Sequence, residues 1–181
     1  MTTLQPEFQT IAAFEARAAQ NALVLDHWKS LRQGESVPSW SQFDLLELSG
    51  NLENCMLLEY KTVDNISVLL FGTKLVDRLG MDLTGSDFLD FFDPIQREAF
   101  QGRVETLKSK TAFLRTIMES PLFGGNEAMI ETLHLPFQNA AGVIDRGLLS
   151  VYELEYRNDA TPLTMPTVTA DNIVLHEVVA L

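Results

Sequence analysis

The residues able to carry chemistry are few and scattered. The three histidines, His27, His134 and His176, are far apart in the chain and fall in a predicted helix, a strand and the C-terminal segment. A zinc site needs three or four converging His, Cys or carboxylate ligands, and no C-x-x-C or H-x-x-x-H pair occurs. Haem needs one axial histidine, and His134 is the candidate on a strand. Leu133, Leu135 and Phe137 alternate with it, however, so if they line an interior His134 points the other way. Cys55 is the only cysteine, and a nucleophilic role would require a base that neither a G-x-S-x-G nor a Cys/His motif supplies. Neither G-x-G-x-x-G nor G-x-x-x-x-G-K-S/T occurs, so Gly72, Gly80 and Gly124-Gly125 read as punctuation. Asp87, Asp90 and Asp93 read as helix caps rather than catalytic acids. No metal or cofactor is expected.

The composition points to a globular protein with a core, and away from nucleic acid. The 181 residues are 46% hydrophobic and 21% charged, enough for a packed core. Net charge is −12, from 13 basic against 25 acidic residues. Binding a phosphate backbone needs clustered Lys and Arg. The nearest approach, Arg103, Lys108 and Lys110, is diluted by Glu105. No run of about 18 apolar residues exists to span a membrane, and no signal peptide is visible. A single cysteine fits a reducing compartment, so a cytoplasmic location is expected.

The elements that must position these residues can be traced in order. From Pro6 to about Arg32 no other proline and no glycine interrupts an alanine-rich stretch, predicting a long amphipathic helix. Ile11, Phe14, Ala18, Asn21, Leu25 and Trp28 fall at heptad spacing along it. They predict either a helix packed on its own domain or a seam for a homodimer or protein partner, with Asn21 setting register. Residues 34–53 read as a connector and 54–156 as the main domain, with 157–181 as a flexible tail. In that tail Ile173 to Leu181 is apolar enough to pair as a strand or to dock.

Within the main domain two strands, Asn54 to Tyr60 and Ile66 to Phe71, flank a turn at Asp64-Asn65. Short helices follow at Lys74 to Leu79 and within Thr84 to Phe92. A longer helix starts at Asp93-Pro94, with Ile95, Ala99, Phe100, Val104 and Leu107 as its buried face. Three strands complete the pattern: Ala112 to Glu119, Ala128 to Gln138, and Ile144 to Tyr156. Pro136 predicts a bulge or an exposed edge.

Two strands, a helical middle and a three-stranded meander is the order of a PAS domain. The wording is more specific than the order. The run W-K-S-L-R-Q-G-E-S-V-P-S-W-S-Q-F-D, Trp28 to Asp44, is similar to the opening of the bacterial PAS_5 family, once catalogued as a domain of unknown function. Asp44 is followed by Leu45 where the family has proline. S-V-L-L-F-G-T-K-L-V-D-R-L-G-M-D-L-T-G, from Ser67 to Gly85, and F-L-D-F-F-D-P, from Phe88 to Pro94, resemble later blocks. The resemblance spans roughly Leu25 to Leu154.

The resemblance implies an α+β, PAS-like five-stranded antiparallel sheet with short helices on one face, beside the long N-terminal amphipathic helix. It also implies a small apolar cavity. Its expected lining is Leu69, Phe71, Leu135, Phe137, Leu149 and Val151 from the sheet, Leu75, Leu79, Phe88 and Phe91 from the helices, and Met118 as an adaptable wall. Thr116 and Ser150 are the polar groups on hand. The same residues also fit a simply filled core. The light-sensing members of the wider fold use a cysteine on a helix after the second strand. Cys55 opens the first strand instead. The expected function is a non-enzymatic, cytoplasmic signalling module that senses or adapts through dimerisation, partner docking and binding of a small apolar ligand. The alternatives are a small α+β enzyme or lipophilic-ligand carrier, favoured by a convergent His/Asp pair, and a pure scaffold.

Overall fold

The computed structural model describes residues 7–34, 36–121, 127–157 and 173–181. Three of the expected features lie outside them: Pro6, the loop Phe123-Gly124-Gly125-Asn126, and the tail from Asn158 through Pro162 and Pro166.

Seven strands form one sheet, in the order β1-β7-β4-β5-β6-β2-β3. The strands are β1 (Glu7–Thr10), β2 (Cys55–Thr62), β3 (Asn65–Phe71), β4 (Ala112–Pro121), β5 (Glu127–Gln138), β6 (Ile144–Arg157) and β7 (Ile173–Ala180). The helices are α1 (Ala19–Ser30), α2 (Thr73–Leu79) and α3 (Pro94–Ser109). The expected five antiparallel strands are present as the contiguous set β3-β2-β6-β5-β4. Two further strands extend the sheet beyond β4. β7 pairs with β4 antiparallel, from Ala112↔Ala180 onward, and β1 pairs with β7 in parallel. The apolar C-terminal run is therefore a strand, its β-branched residues covering an edge that would otherwise expose unpaired backbone groups.

The long N-terminal helix is a correction. Glu7–Thr10 is a strand, and the helix begins only at Ala19. The alanine-rich periodicity was compatible with a helix throughout, but pairing to β7 satisfies this backbone better than solvent would. The heptad residues face the chain's own sheet. Phe14, Leu25 and Trp28 pack with Phe113, Leu133, Leu135 and Phe137, with Ile11 against the cluster, and Ala18 and Asn21 are also buried. An aspartate at Leu25 would put an unpaired charge in this core, so it would unfold the domain rather than dissociate a dimer.

Both faces of the sheet are thus covered. One carries α1 and the connector, where Phe43 stacks on Phe137 with ring centres 4.7 Å apart. The other carries α2, the single turn Phe88–Phe91 and α3. Asp93 caps α3 through the amides of Ile95 and Gln96, both at 2.9 Å, and the Gln96 side chain answers from Asp93 N–H at 3.0 Å. The buried stripe of α3 is Phe100, Val104 and Leu107, whereas Ile95 and Ala99 are exposed. Pro136 lies inside β5. Its ladder with β4 ends at Leu114↔His134, so the missing N–H falls just beyond the paired stretch. A register shift follows at once, between Phe137 and Gln138.

Polar groups lock α1 in place. Ala18 at its N-cap offers no side chain to the orphan amides. The Glu131 carboxylate of β5 instead holds the two amides just before the helix, accepting from Arg17 N–H at 2.9 Å and Ala18 N–H at 2.8 Å. Asn21 Nδ2 donates to the same carboxylate at 3.1 Å, and Ser150 Oγ donates to Asn21 Oδ1 at 2.6 Å. Arg115 reaches Glu131 at 3.5 Å, pairs with Glu177 and donates to the Glu15 carbonyl at 2.9 Å. Trp28 Nε1 donates to the Pro136 carbonyl at 2.9 Å. Arg115→Met strands two buried carboxylates, so urea unfolding should show a loss of about 3–5 kcal/mol. A loss under 1 kcal/mol would show that the network is not what holds the N-terminal segment.

Candidate functional site

Strand alternation divides the expected cavity residues between two layers. Leu149 and Val151 pack under the helices with Leu75 and Phe100, joined by Phe71, Leu79 and Phe88. Leu135 and Phe137 lie on the opposite face, against α1. Leu69 and Phe91 line neither core, being 41% and 36% exposed. Met118 sits with Ala128 and Ile130 further along the helix face, beside Val151. The two expected polar groups diverge as well. Ser150 bonds Asn21 under α1, and Thr116 lies under α3.

His134 is the main reversal. It faces the helices, and not away from them, because its neighbours Leu133 and Leu135 belong to the α1 layer. Register places His134 beside Leu114 and Leu149, and its ring stacks on Phe100 of α3 with centres 5.8 Å apart. It is hydrogen-bonded to the Tyr60 hydroxyl of β2. The space for this pair comes from Gly147 on β6, where a Cβ would stand 1.8 Å from Tyr60 Oη and 2.6 Å from His134 Nε2. One strand over, His176 of β7 meets Thr116 of β4, Nδ1 to Oγ1 3.3 Å. Arg103 of α3, only half-buried beside Phe100, Val104 and Leu107 on the helix, is close enough for its charge to act on both histidines. Lys108 lies over the Tyr60 ring at 5.5 Å.

The electrostatics keep these groups neutral. Burial, and then the Arg103 charge, push His134 down to about 3 and His176 down to about 4. Burial raises the Tyr60 hydroxyl well above its usual range. At neutral pH the His134–Tyr60 pair is therefore a fixed neutral hydrogen bond and not a proton relay. Cys55 stands apart under α1, its thiol pushed up to about 12 by burial and donating to the Asn51 carbonyl at 3.3 Å. Among the described residues, no group of three or more His, Cys, Asp or Glu converges as a metal site would require. Asp87 accepts from Leu89 N–H at 3.0 Å and Ile66 N–H at 3.2 Å, and Asp90 makes a loose pair with Arg97 at 3.8 Å.

Sequence reasoning placed Arg103, His134 and His176 in separate contexts, and left Tyr60 and Gly147 unmarked. The i, i+3, i+4, i+7 spacing of Phe100, Arg103, Val104 and Leu107 was the signal that an arginine shares the buried stripe of α3.

Unfolded His134 takes its proton near pH 6.5 and folded His134 only near 3. Its contribution to stability is complete above about 6.5 and is lost as pH falls towards 3. Between pH 7 and 5 the wild type should lose about 2 kcal/mol more than His134→Gln in urea titrations, and equal losses would contradict a buried neutral imidazole. Gly147→Ala should lower stability by about 1–3 kcal/mol through overpacking; an unchanged midpoint would show that the Tyr60–His134 pair can move aside freely.

No curated protein matches the chain. The model of one family, PAS_5, described as a PAS domain, matches residues 16–150. That match runs from the start of the Glu131 lock into β6, and it takes in α2, α3 and strands β2 to β5, whereas β1 and β7 lie outside it. This chain belongs to the PAS_5 family of PAS domains.

Proposed function

We propose that this PAS domain is a non-enzymatic, cytoplasmic sensor or adaptor whose sensing compartment lies between α3 and strands β2, β4, β5 and β7. Family membership supports a general sensor or signalling-type module, and PAS domains are generally non-enzymatic. No helix among the described residues is long and apolar enough to cross a membrane.

The observation that carries the reading is the position of β7. His176 sits in the compartment beside Thr116, while the next residue, Glu177, faces the other layer and pairs with Arg115. Gln9 of β1 bonds the same carboxylate. A molecule that favours one arrangement of α3 over the sheet thereby biases both terminal strands, and a signal passes as a shift between two packings. The apolar floor of Met118, Ile130 and Val151 suits a small, largely apolar ligand.

Because the heptad residues are spent inside, a second copy or a protein partner docks on the outer surface. There Leu23 of α1 and Leu46 of the connector are exposed. The enzyme alternative draws less support, because the hydrogen-bond partner of His134 is Tyr60 and not a carboxylate.

Native mass spectra of protein purified without added ligand should show an extra mass that denaturation releases. A clean apo mass would move the reading towards a pure adaptor. If the wild type is dimeric in the same spectra, Leu23→Asp with Leu46→Asp should return it to monomer; a dimer surviving both changes would place the interface elsewhere.

A further inference from the structure

The chain treats the two edges of its sheet differently. At the β3 edge the outward backbone groups have partners. Val68 N–H donates to the Ser86 carbonyl at 3.0 Å, Gly85 N–H donates to the Val68 carbonyl at 2.8 Å, and Ile66 N–H donates to the Asp87 carboxylate at 3.2 Å. At the other edge, β1 pairs with β7 on one side only. Ile11 N–H donates to the Ala180 carbonyl at 2.8 Å, and this fixes the parity of the strand. Glu7, Gln9 and Ile11 turn their backbone groups to β7, whereas Phe8 and Thr10 turn theirs outward. The Thr10 carbonyl is taken by Ala13 N–H at 3.0 Å. Phe8 N–H, Phe8 C=O and Thr10 N–H have no partner among the described residues. Both side chains are exposed, Phe8 by 67%. An edge of this kind is a template for another strand. Its two strands lie outside the residues matched by the family model, so family membership does not account for it.

Building on the adaptor reading, we infer that the outer edge of β1 takes up an extended segment of a protein partner, with basic residues on one side of that segment and β-branched residues on the other. The incoming strand meets the two outward N–H groups and the Phe8 carbonyl. Side chains on its helix-facing side lie beside Phe8 and Thr10. Lys110 already stands over the Phe8 ring at 4.8 Å, so that side suits a β-branched residue rather than a second cation. The basic side chains fall on the opposite face, next to Gln9. Charge and area choose the occupant. With net charge −12, the chain repels a second copy and any acidic segment, and it draws in a basic one. A strand of 4 residues also offers far less than the roughly 800 Å² per partner of a stable dimer, whereas it is enough for weak, reversible strand addition.

The test adds the end-blocked peptides Lys-Val-Lys-Val-Lys and Glu-Val-Glu-Val-Glu to the full chain, read by NMR titration and amide hydrogen exchange. The basic probe should slow exchange at the Phe8 and Thr10 amides and leave Gln9 N–H, already bonded to β7, as it was. It should bind about fivefold or more tighter than the acidic probe. Thr10→Pro removes an outward donor that folding does not use. It should keep the wild-type urea midpoint and weaken binding about fivefold, while Thr10→Val, which retains the N–H, binds as wild type does. Equal binding of the two probes, or undiminished binding by a folded Thr10→Pro, overturns the inference. So does probe binding that leaves exchange at Phe8 and Thr10 unchanged, a readout that needs no variant. Slow exchange at those two amides without any probe, lost on dilution, would assign the edge to a second copy and overturn the partner segment. Failure of both probes overturns the edge alone, and the adaptor reading then stands or falls by the native spectra and the Leu23 and Leu46 variants.

Discussion

The fold depends on one buried carboxylate. Glu131 stands in the middle of the central strand β5 and takes hydrogen bonds from the two backbone amides that lead into α1, from Asn21 and from Arg115. A carboxylate under a helix N-terminus meets both unpaired N–H groups and the positive end of the helix dipole. Arg115 then ties it to Glu177, so that two carboxylates share one guanidinium and one helix end. Apolar packing of Trp28, Leu25 and Phe113 supplies the bulk of the attraction between the layers. Hydrophobic contact has no direction, however, and the polar lock is what sets where α1 sits and which strand lies at each edge.

That lock makes the two faces of the sheet unequal. Under α1 the buried charges have partners of opposite sign, and the layer is built to stay. Under α3 His134, His176 and the Tyr60 hydroxyl are held neutral by burial. One layer is held by buried ion pairs, the other by neutral polar groups among apolar side chains. β7 belongs to both, since His176 and Glu177 are adjacent in sequence and point to opposite sides. A strand of that kind passes a change on one face to the other without any long path.

Much of this was legible from local pattern. The strands from Cys55 to Phe71 and from Ala112 to Arg157 follow from alternation and turn residues. Asp93-Pro94 followed by Gln96 spells a helix start whose capping box forms as written. The motifs from Trp28 to Asp44 and from Ser67 to Pro94 carried the family. Of the two terminal strands, β7 was legible as able to pair but β1 was not. Glu7–Thr10 is too short to announce itself, and it becomes a strand only because Ile173–Ala180, far away in sequence, offers it a ladder.

The sequence by itself determined the parity of each strand, so that His134 must oppose Leu133 and Leu135, and it determined where α3 begins. Which parity meets which layer was decided by tertiary structure alone. A strand with apolar residues on both faces carries no local mark of which helix will cover which side. Glu131, Arg115 and Glu177 look like solvent-facing charges until the strands are paired, because a buried charge is tolerable only when partners distant in sequence arrive together. The same holds for Arg103. Its place beside the buried residues of α3 is written in the spacing, but its nearness to His134 and His176 exists only once the sheet is assembled.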